Sequence, residues 1–178
     1  IGLEGAKVAE LCERAAAGER VVVPANINAP DQLVVAGHKE AVDRVVEAAK
    51  QGGAKRAVPL PVSAPFHCPL MGPAAERLKS FLDGITFRPG RFPVVGNVDA
   101  EPTSEAERCR ERLVQQVTSP VRWVESQQVI VDRFSVGHGV EFGAGKSLAG
   151  LARRTVRSLR VLGLGEPEDV EGVREALV

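Results

Sequence analysis

The sequence has 178 residues, 44% hydrophobic and 26% charged, which suits one ordinary domain or one domain with a small appendage. Its 23 basic and 23 acidic residues cancel, and no basic run carries interleaved aromatics, so no nucleic-acid partner is expected. The three cysteines, Cys12, Cys68 and Cys109, show no CxxC spacing, which argues against a disulfide framework or a zinc site and fits a cytoplasmic location; no apolar run approaches the roughly 18 residues of a membrane span, and no signal peptide is read.

Ile1-Gly2-Leu3 reads as the stub of a strand, so the chain is expected to be a piece of a longer fold. From Glu4 to Ala17, Val8, Leu11, Cys12 and Ala15 fall on one helical face, and Gly18 supplies the stop. Val21 to Asn28 and Gln32 to Gly37 are two β-rich runs joined through Ala29-Pro30-Asp31, a turn by composition. His38 to Gln51 reads as a helix with Ala41, Val42, Val45, Val46 and Ala49 inward. Glu40 and Arg44 are spaced to pair outside it. Gly52-Gly53 ends that helix, and Ala54 to Val62 reads as the next strand. This order, (β)αββαβ, is that of the ferredoxin-like split βαβ unit with its first strand cut short. His38, with no acidic or thiol partner at ligand spacing, reads as structural.

Further along, Leu70, Ala74, Leu78, Phe81 and Leu82 mark a helix, and Phe92 to Val98 a strand. Ser104-x-x-Glu107 has the form of a capping box opening a helix that runs to Val117. Pro120 interrupts the chain before a helix over Val121 to Phe134, in which Trp123 is the expected core anchor. Val136 to Phe142 reads as a strand. Lys146 to Leu159 reads as a helix with Leu148, Leu151, Ala152, Thr155 and Leu159 inward. Arg160 to Leu164 and Asp169 to Leu177 complete the chain as a strand and a short helix. Alternating α and β elements over this part predict a parallel-sheet α/β body.

One stretch organises the whole, Pro59-Leu-Pro-Val-Ser-Ala-Pro-Phe66-His67-Cys-Pro-Leu-Met71. Two prolines end a strand, a small-residue bend follows, and Pro69 sits where a helix can begin. A histidine is left at the tip of a strand–loop–helix junction, where a rigid frame can aim a reactive group. A lone histidine in such a place is more commonly structural than catalytic. Gly143-Ala-Gly-Lys-Ser147 imitates the end of a phosphate loop. The glycine required five residues before Gly145 is instead Val140, so nucleotide binding is rejected.

The run Val62 to Met71 resembles the histidine motif of the malonyl-CoA:acyl carrier protein transacylases. Three further segments match that family in order: Asn26-Ile-Asn28-Ala-Pro-Asp-Gln32 with Val34 to Gly37, Leu113-Val-Gln-Gln116 through Pro120-Val-Arg-Trp123, and Val140 to Leu148. The resemblance covers essentially the whole chain. It implies an α/β fold with a ferredoxin-like small subdomain over 1–62, followed over 63–178 by part of an α/β-hydrolase-like acyltransferase large subdomain. It also implies that a serine takes the malonyl group from coenzyme A as an ester and passes it to the phosphopantetheine thiol of acyl carrier protein. His67 then matches the imidazole that moves the serine proton, and Gln116 the residue whose main-chain carbonyl orients that imidazole. Asn28 matches an asparagine near the pantetheine and acyl pocket, and Phe66 the bulk that favours malonyl over methylmalonyl. Malonyl-CoA and acyl carrier protein are the implied partners, with no cofactor, no metal and no membrane.

One departure is severe. No G-x-S-x-G elbow occurs in the 178 residues. The expectation is therefore a C-terminal portion that supplies the base, with the nucleophile and the N-terminal part of the fold outside it, and that is inactive alone. Two alternatives stand beside it: an acyltransferase fragment of a polyketide or fatty-acid megasynthase, and a non-catalytic ferredoxin-like binding module.

Overall fold

The computed structural model describes residues 1–177, which divide into two compact units, Ile1–Trp123 and Val124 onward. In the first unit, α1 (Gly5–Ala15) leads into a hairpin of β1 (Val22–Ala29) and β2 (Gln32–Gly37), followed by α2 (Lys39–Gln51). The hairpin is antiparallel, with Val22 opposite Gly37 and Ala29 opposite Gln32. Both helices bury the faces their periodicity predicts, with Val8, Leu11, Cys12 and Ala15 meeting Val22, Ala41, Val45 and Ala49. Burial pushes the Cys12 thiol up to about 11, so it behaves as a small core hydrophobe.

The base of the hairpin closes tightly. A Cβ on Gly37 would lie 2.1 Å from the Val21 carbonyl oxygen, so only glycine fits. His38 is structural in detail. Its amide donates to the Val21 carbonyl at 2.8 Å, and its Nδ1 accepts the Val21 N–H at 2.9 Å. The expected Glu40–Arg44 pair does not form. Arg44, itself exposed, reaches across to α1 and donates twice to the Ala15 carbonyl, at 2.6 and 3.1 Å, meeting the negative end of the α1 dipole. Glu40 pairs instead with Arg20 at 2.9 Å.

Residues 54–62 form no strand. Pro59 and Pro61 each remove a ladder donor, and Val58, Leu60 and Val62 are about half exposed. What remains is one exchange of hydrogen bonds: the Ile1 amine donates to the Arg56 carbonyl at 2.8 Å, and the Arg56 N–H donates back at 3.2 Å. A 3₁₀ turn, Pro69–Met71, precedes α3 (Gly72–Leu82). The strand expected over 92–98 shrinks to β3 (Val94–Val95), paired with β4 (Pro102–Thr103). Helix α4 (Ala106–Gln115) starts one residue later than the capping box requires: Glu105 takes the cap position with no side-chain cap bond, and its amide donates to Thr103 Oγ1 at 3.1 Å.

Helix α5 (Trp123–Phe134) lies in the second unit from Val124 on, followed there by β5 (His138–Phe142), α6 (Ser147–Thr155), β6 (Arg160–Leu164) and α7 (Asp169–Leu177). Strands β5 and β6 are parallel, His138 opposite Arg160 and Phe142 opposite Leu164, with α6 as the crossover that a parallel pair requires. The inward face of α6 differs from the expected one: Ala149 and Ala152 are buried and Leu148 is exposed, while Val156 and Leu159, also buried, follow the end of the helix. Gly143 and Gly145 have φ of +111° and +99°, the left-handed turn that lets β5 enter α6. The buried carboxylate of Glu141 accepts the first amides of that helix, Leu148 N–H at 2.9 Å and Ala149 N–H at 2.8 Å. A phosphate would need those same donors, so the loop is a capped turn and not a phosphate cradle.

Candidate active site around His67

His67 stands in the left-handed region, with φ of +59°. Histidine is among the few residues that visit this conformation, at a cost of about 1–3 kcal/mol that the surroundings must hold. The prolines on either side, Pro65 and Pro69, leave the loop few alternatives. Cys68, directly after it, is fully buried and anchors the loop from below. Desolvation holds its thiol above the ordinary range, so it is no candidate nucleophile.

The ring of His67 is half-buried, and its Nδ1 lies 2.9 Å from the main-chain oxygen of Gln116. A carbonyl can only accept, so Nδ1 carries the proton. In the neutral ring the other nitrogen, Nε2, is then left as an acceptor. This is the tautomer a general base needs.

Gln116 can supply that oxygen because of where it stands. It is the C-cap of α4, with φ −63° and ψ −19°, and the last carbonyls of a helix have no intrahelical partner. Its own amide remains tied to the Arg112 carbonyl at 2.9 Å. The Val117 and Thr118 amides turn back to Val114 and Gln115, both at 3.2 Å, which leaves the Gln116 oxygen clear. Its side chain is held as well: Asn97 Nδ2 donates to Gln116 Oε1 at 3.2 Å.

Phe66 and His67 both border an open, largely apolar hollow of ≈ 1160 Å³, together with Asn26, Val35, Leu60 and Ser63. Phe66 is 51% exposed on that rim. Asn28 does not border the hollow. It falls at an irregularity of β1 between the paired residues Ile27 and Ala29, the kind of bulge that re-aims a side chain. A smaller hollow of ≈ 500 Å³, framed by Asp99, Arg108, Glu111 and Arg112, is open and charged and holds no histidine or nucleophile. Among the described residues, no cluster of His, Cys, Asp or Glu could hold a metal ion. No described helix is long and apolar enough to cross a membrane.

The structure thus brings His67, Phe66 and Gln116 together and sets Asn28 apart on the bulged strand. Sequence reasoning misses Asn97, whose tie to Gln116 spans 19 positions and follows no motif spacing. It also misses Arg112, buried and bonded to the Asp99 carboxylate and the Glu101 carbonyl.

No protein-family model matches the chain. Individual relatives do. The chain is 48% identical over 167 residues to the malonyl CoA-acyl carrier protein transacylase of Salmonella typhimurium, covering 94% of this chain and 53% of that protein. To the Escherichia coli protein of the same name it is 46% identical over 175 residues, covering 98% and 56%. Among solved structures, a malonyl-transacylase in complex with a type II PKS acyl-carrier protein is 43% identical with a TM-score of 0.94, covering 99% of this chain and 56% of that one. An acyl-carrier-protein S-malonyltransferase from Burkholderia pseudomallei is 41% identical with a TM-score of 0.92, again covering 99% and 56%. The chain has the α/β acyltransferase fold of these proteins and spans about half the length of the curated relatives it matches. It therefore belongs with the malonyl CoA-acyl carrier protein transacylases, as the counterpart of their C-terminal portion.

Proposed function

We propose that this chain forms the base-bearing portion of a transacylase that moves malonyl from coenzyme A to the phosphopantetheine thiol of an acyl carrier protein. The observation that carries this is the 2.9 Å contact of His67 Nδ1 with the Gln116 carbonyl, in a chain whose relatives bear that name. Nε2 of His67 takes the proton of a serine outside this sequence as its oxygen attacks the thioester carbonyl. The C–S bond breaks, the proton passes to the departing thiolate, and the malonyl ester waits for the second thiol. In the return half the same nitrogen deprotonates the carrier thiol and gives the proton back to the serine.

Phe66 is proposed to wall the acyl pocket, supported by its place on the rim of the hollow beside His67. Asn28 is proposed to lie near the pantetheine arm, supported by the bulge that breaks the β1 ladder at its position. Residues 1–62 are proposed as a ferredoxin-like small subdomain and 63–178 as part of the large one. In support, the buried cluster of the first unit draws all its members from Leu3 to Ala57. The Ile1–Arg56 exchange and the Gly2 N–H bond to the Asp31 carbonyl, at 2.7 Å, support this by tying the first segment to the hairpin turn and to residue 56. The cytoplasm is the proposed location, which three free cysteines fit. The named relatives give no support to a megasynthase domain or a non-catalytic module.

The test is a chimera in which this chain replaces its counterpart in the Escherichia coli relative, assayed for malonyl transfer to acyl carrier protein. Transfer is expected from the chimera, with none from residues 1–178 alone. A folded chimera whose His67→Ala form transfers as fast as its parent would overturn the proposal.

A further inference from the structure

The Gln116 carbonyl is a main-chain group, so its own side chain can aim it only by holding the backbone in place. Its direction depends on how the C-terminus of α4 is held. Two side chains one helical turn apart, Arg112 and Gln116, reach from α4 to the same loop, 96–101. Arg112 is 6% exposed and grips the Asp99 carboxylate and, at 2.8 Å, the Glu101 carbonyl. The loop is itself tight: the Ala100 amide returns to the Gly96 carbonyl at 2.9 Å, and Ala100 has φ of +56°. Asn97 is the point where this rigid loop meets the last residue of the helix. Its main-chain oxygen accepts the Arg122 N–H at 2.9 Å, which fixes its backbone, and its Nδ2 donates to Gln116 Oε1.

We propose that Asn97 is a positioning residue for His67: its amide holds Gln116 so that the Gln116 carbonyl faces Nδ1, and so fixes the ring tautomer. The chain of contacts is continuous, from Asn97 Nδ2 through Gln116 to the imidazole, with no gap wider than a hydrogen bond. Removing the donor frees the Gln116 side chain, lets the end of α4 fray, and allows the carbonyl to turn from the ring. A helix end held by side chains is otherwise the part of a helix that opens first. The inference rests on the reading of His67 as the base, because only then does its tautomer govern a rate.

The tie can be read without turnover, by nitrogen-resolved NMR of the imidazoles in the 178-residue chain, with His67→Ala identifying the His67 signals among the three histidines. In the parent the Nδ1–H form is expected to dominate. Asn97→Ala should lower the ratio of Nδ1–H to Nε2–H forms by about 2- to 10-fold, the leverage of one net hydrogen bond. The His38 and His138 rings and the melting temperature should barely move. Asn97→Leu keeps much of the shape but offers Gln116 Oε1 no donor, and should shift the ring in the same direction. A purely structural Asn97 would lower the melting temperature and leave the His67 ring unchanged, which overturns the proposal. Failure of both variants to fold would overturn it equally, since Asn97 would then hold the fold and not the ring. In the chimera, kcat should fall by the same factor with KM unchanged. A ring that responds to Asn97→Ala beside a chimera that never transfers malonyl would sink the transacylase reading and leave the tie standing. An active chimera with an unmoved ring would sink only the tie.

Discussion

Three substitutions in the chimera separate the Gln116 carbonyl from the Gln116 side chain. His67→Ala removes the proposed base and should cost about 10²- to 10⁴-fold in kcat, the usual worth of a positioned acid–base group. Gln116→Ala keeps the main-chain oxygen that Nδ1 contacts at 2.9 Å and loses only the 3.2 Å bond from Asn97. Both residues are half-buried, so water can replace part of that bond, and the loss should be about 2- to 10-fold, one net hydrogen bond. Val117→Pro moves the oxygen itself. Proline deletes the Val117 N–H bond to Val114 and disfavours the helical conformation at Gln116, whose φ and ψ are −63° and −19°. Its loss should approach that of His67→Ala. The assay is the acyl-enzyme burst followed by steady-state transfer to acyl carrier protein, with melting curves to confirm that each variant folds. If Gln116→Ala proves as damaging as His67→Ala in a folded protein, the side chain takes part and the carbonyl assignment is wrong. A Val117→Pro enzyme with parental kcat would refute it from the other side.

Phe66→Ser in the same chimera should raise methylmalonyl transfer relative to malonyl, by about 10- to 200-fold at most, the range that one methyl in a pocket can discriminate. An unchanged ratio of the two kcat/KM values would remove Phe66 from the pocket wall. A second expectation concerns pH. The Asp169 carboxylate accepts the Glu166 and Gly165 amides, which hold its pKa below the ordinary 3.8. The hold those bonds give the start of α7 is therefore full above pH 3.8 and is lost as pH falls through the lower folded value. The amide proton shifts of Gly165 and Glu166 should titrate with a midpoint under 3.8, and a midpoint at or above it would contradict the depression.

Much of this was legible because it depends on local chemistry. The inward faces of α1 and α2 follow from residues three and four apart, and burial of Val8, Leu11, Ala41 and Val45 needs no knowledge of the rest. The hairpin follows from Ala29-Pro30-Asp31 between two β-rich runs. What failed depends on partners. A strand exists only with a neighbour, and residues 54–62 keep one hydrogen-bonded exchange with Ile1 and nothing longer. Ser104-x-x-Glu107 has the right letters for a cap, but the helix begins one residue later, with Glu105 at the cap position and its amide held by Thr103 Oγ1. Arg44 sits at pairing distance from Glu40 in sequence, yet a free helix-end carbonyl at Ala15 is the stronger claim on a guanidinium. The site divides in the same way. His67 and Gln116 are named by motif, whereas Asn97 is placed by a fold-level meeting of loop and helix that no spacing encodes.

On the proposed reading, an orienting group without charge suits this chemistry. A carboxylate behind an imidazole both aims the ring and stabilises the imidazolium, and charge-assisted hydrogen bonds are roughly twice as strong as neutral ones. The Gln116 carbonyl aims the ring and offers only a dipole. A thioester tolerates that. Its leaving group is a thiol, with an ordinary pKa of about 8.5, and departs with far less proton transfer than an amine requires. The ring also has to run in both directions, because it must release the proton to coenzyme A and later take one from the carrier thiol. The cost falls elsewhere. A carboxylate on a flexible side chain can follow the ring, but a carbonyl goes only where its backbone goes. Precision at His67 is thereby transferred to the end of α4 and to the loop that Arg112 and Gln116 grip. That is why the backbone variant Val117→Pro should do more damage than deletion of the Gln116 side chain, and why an asparagine that never meets the substrate should still move the rate.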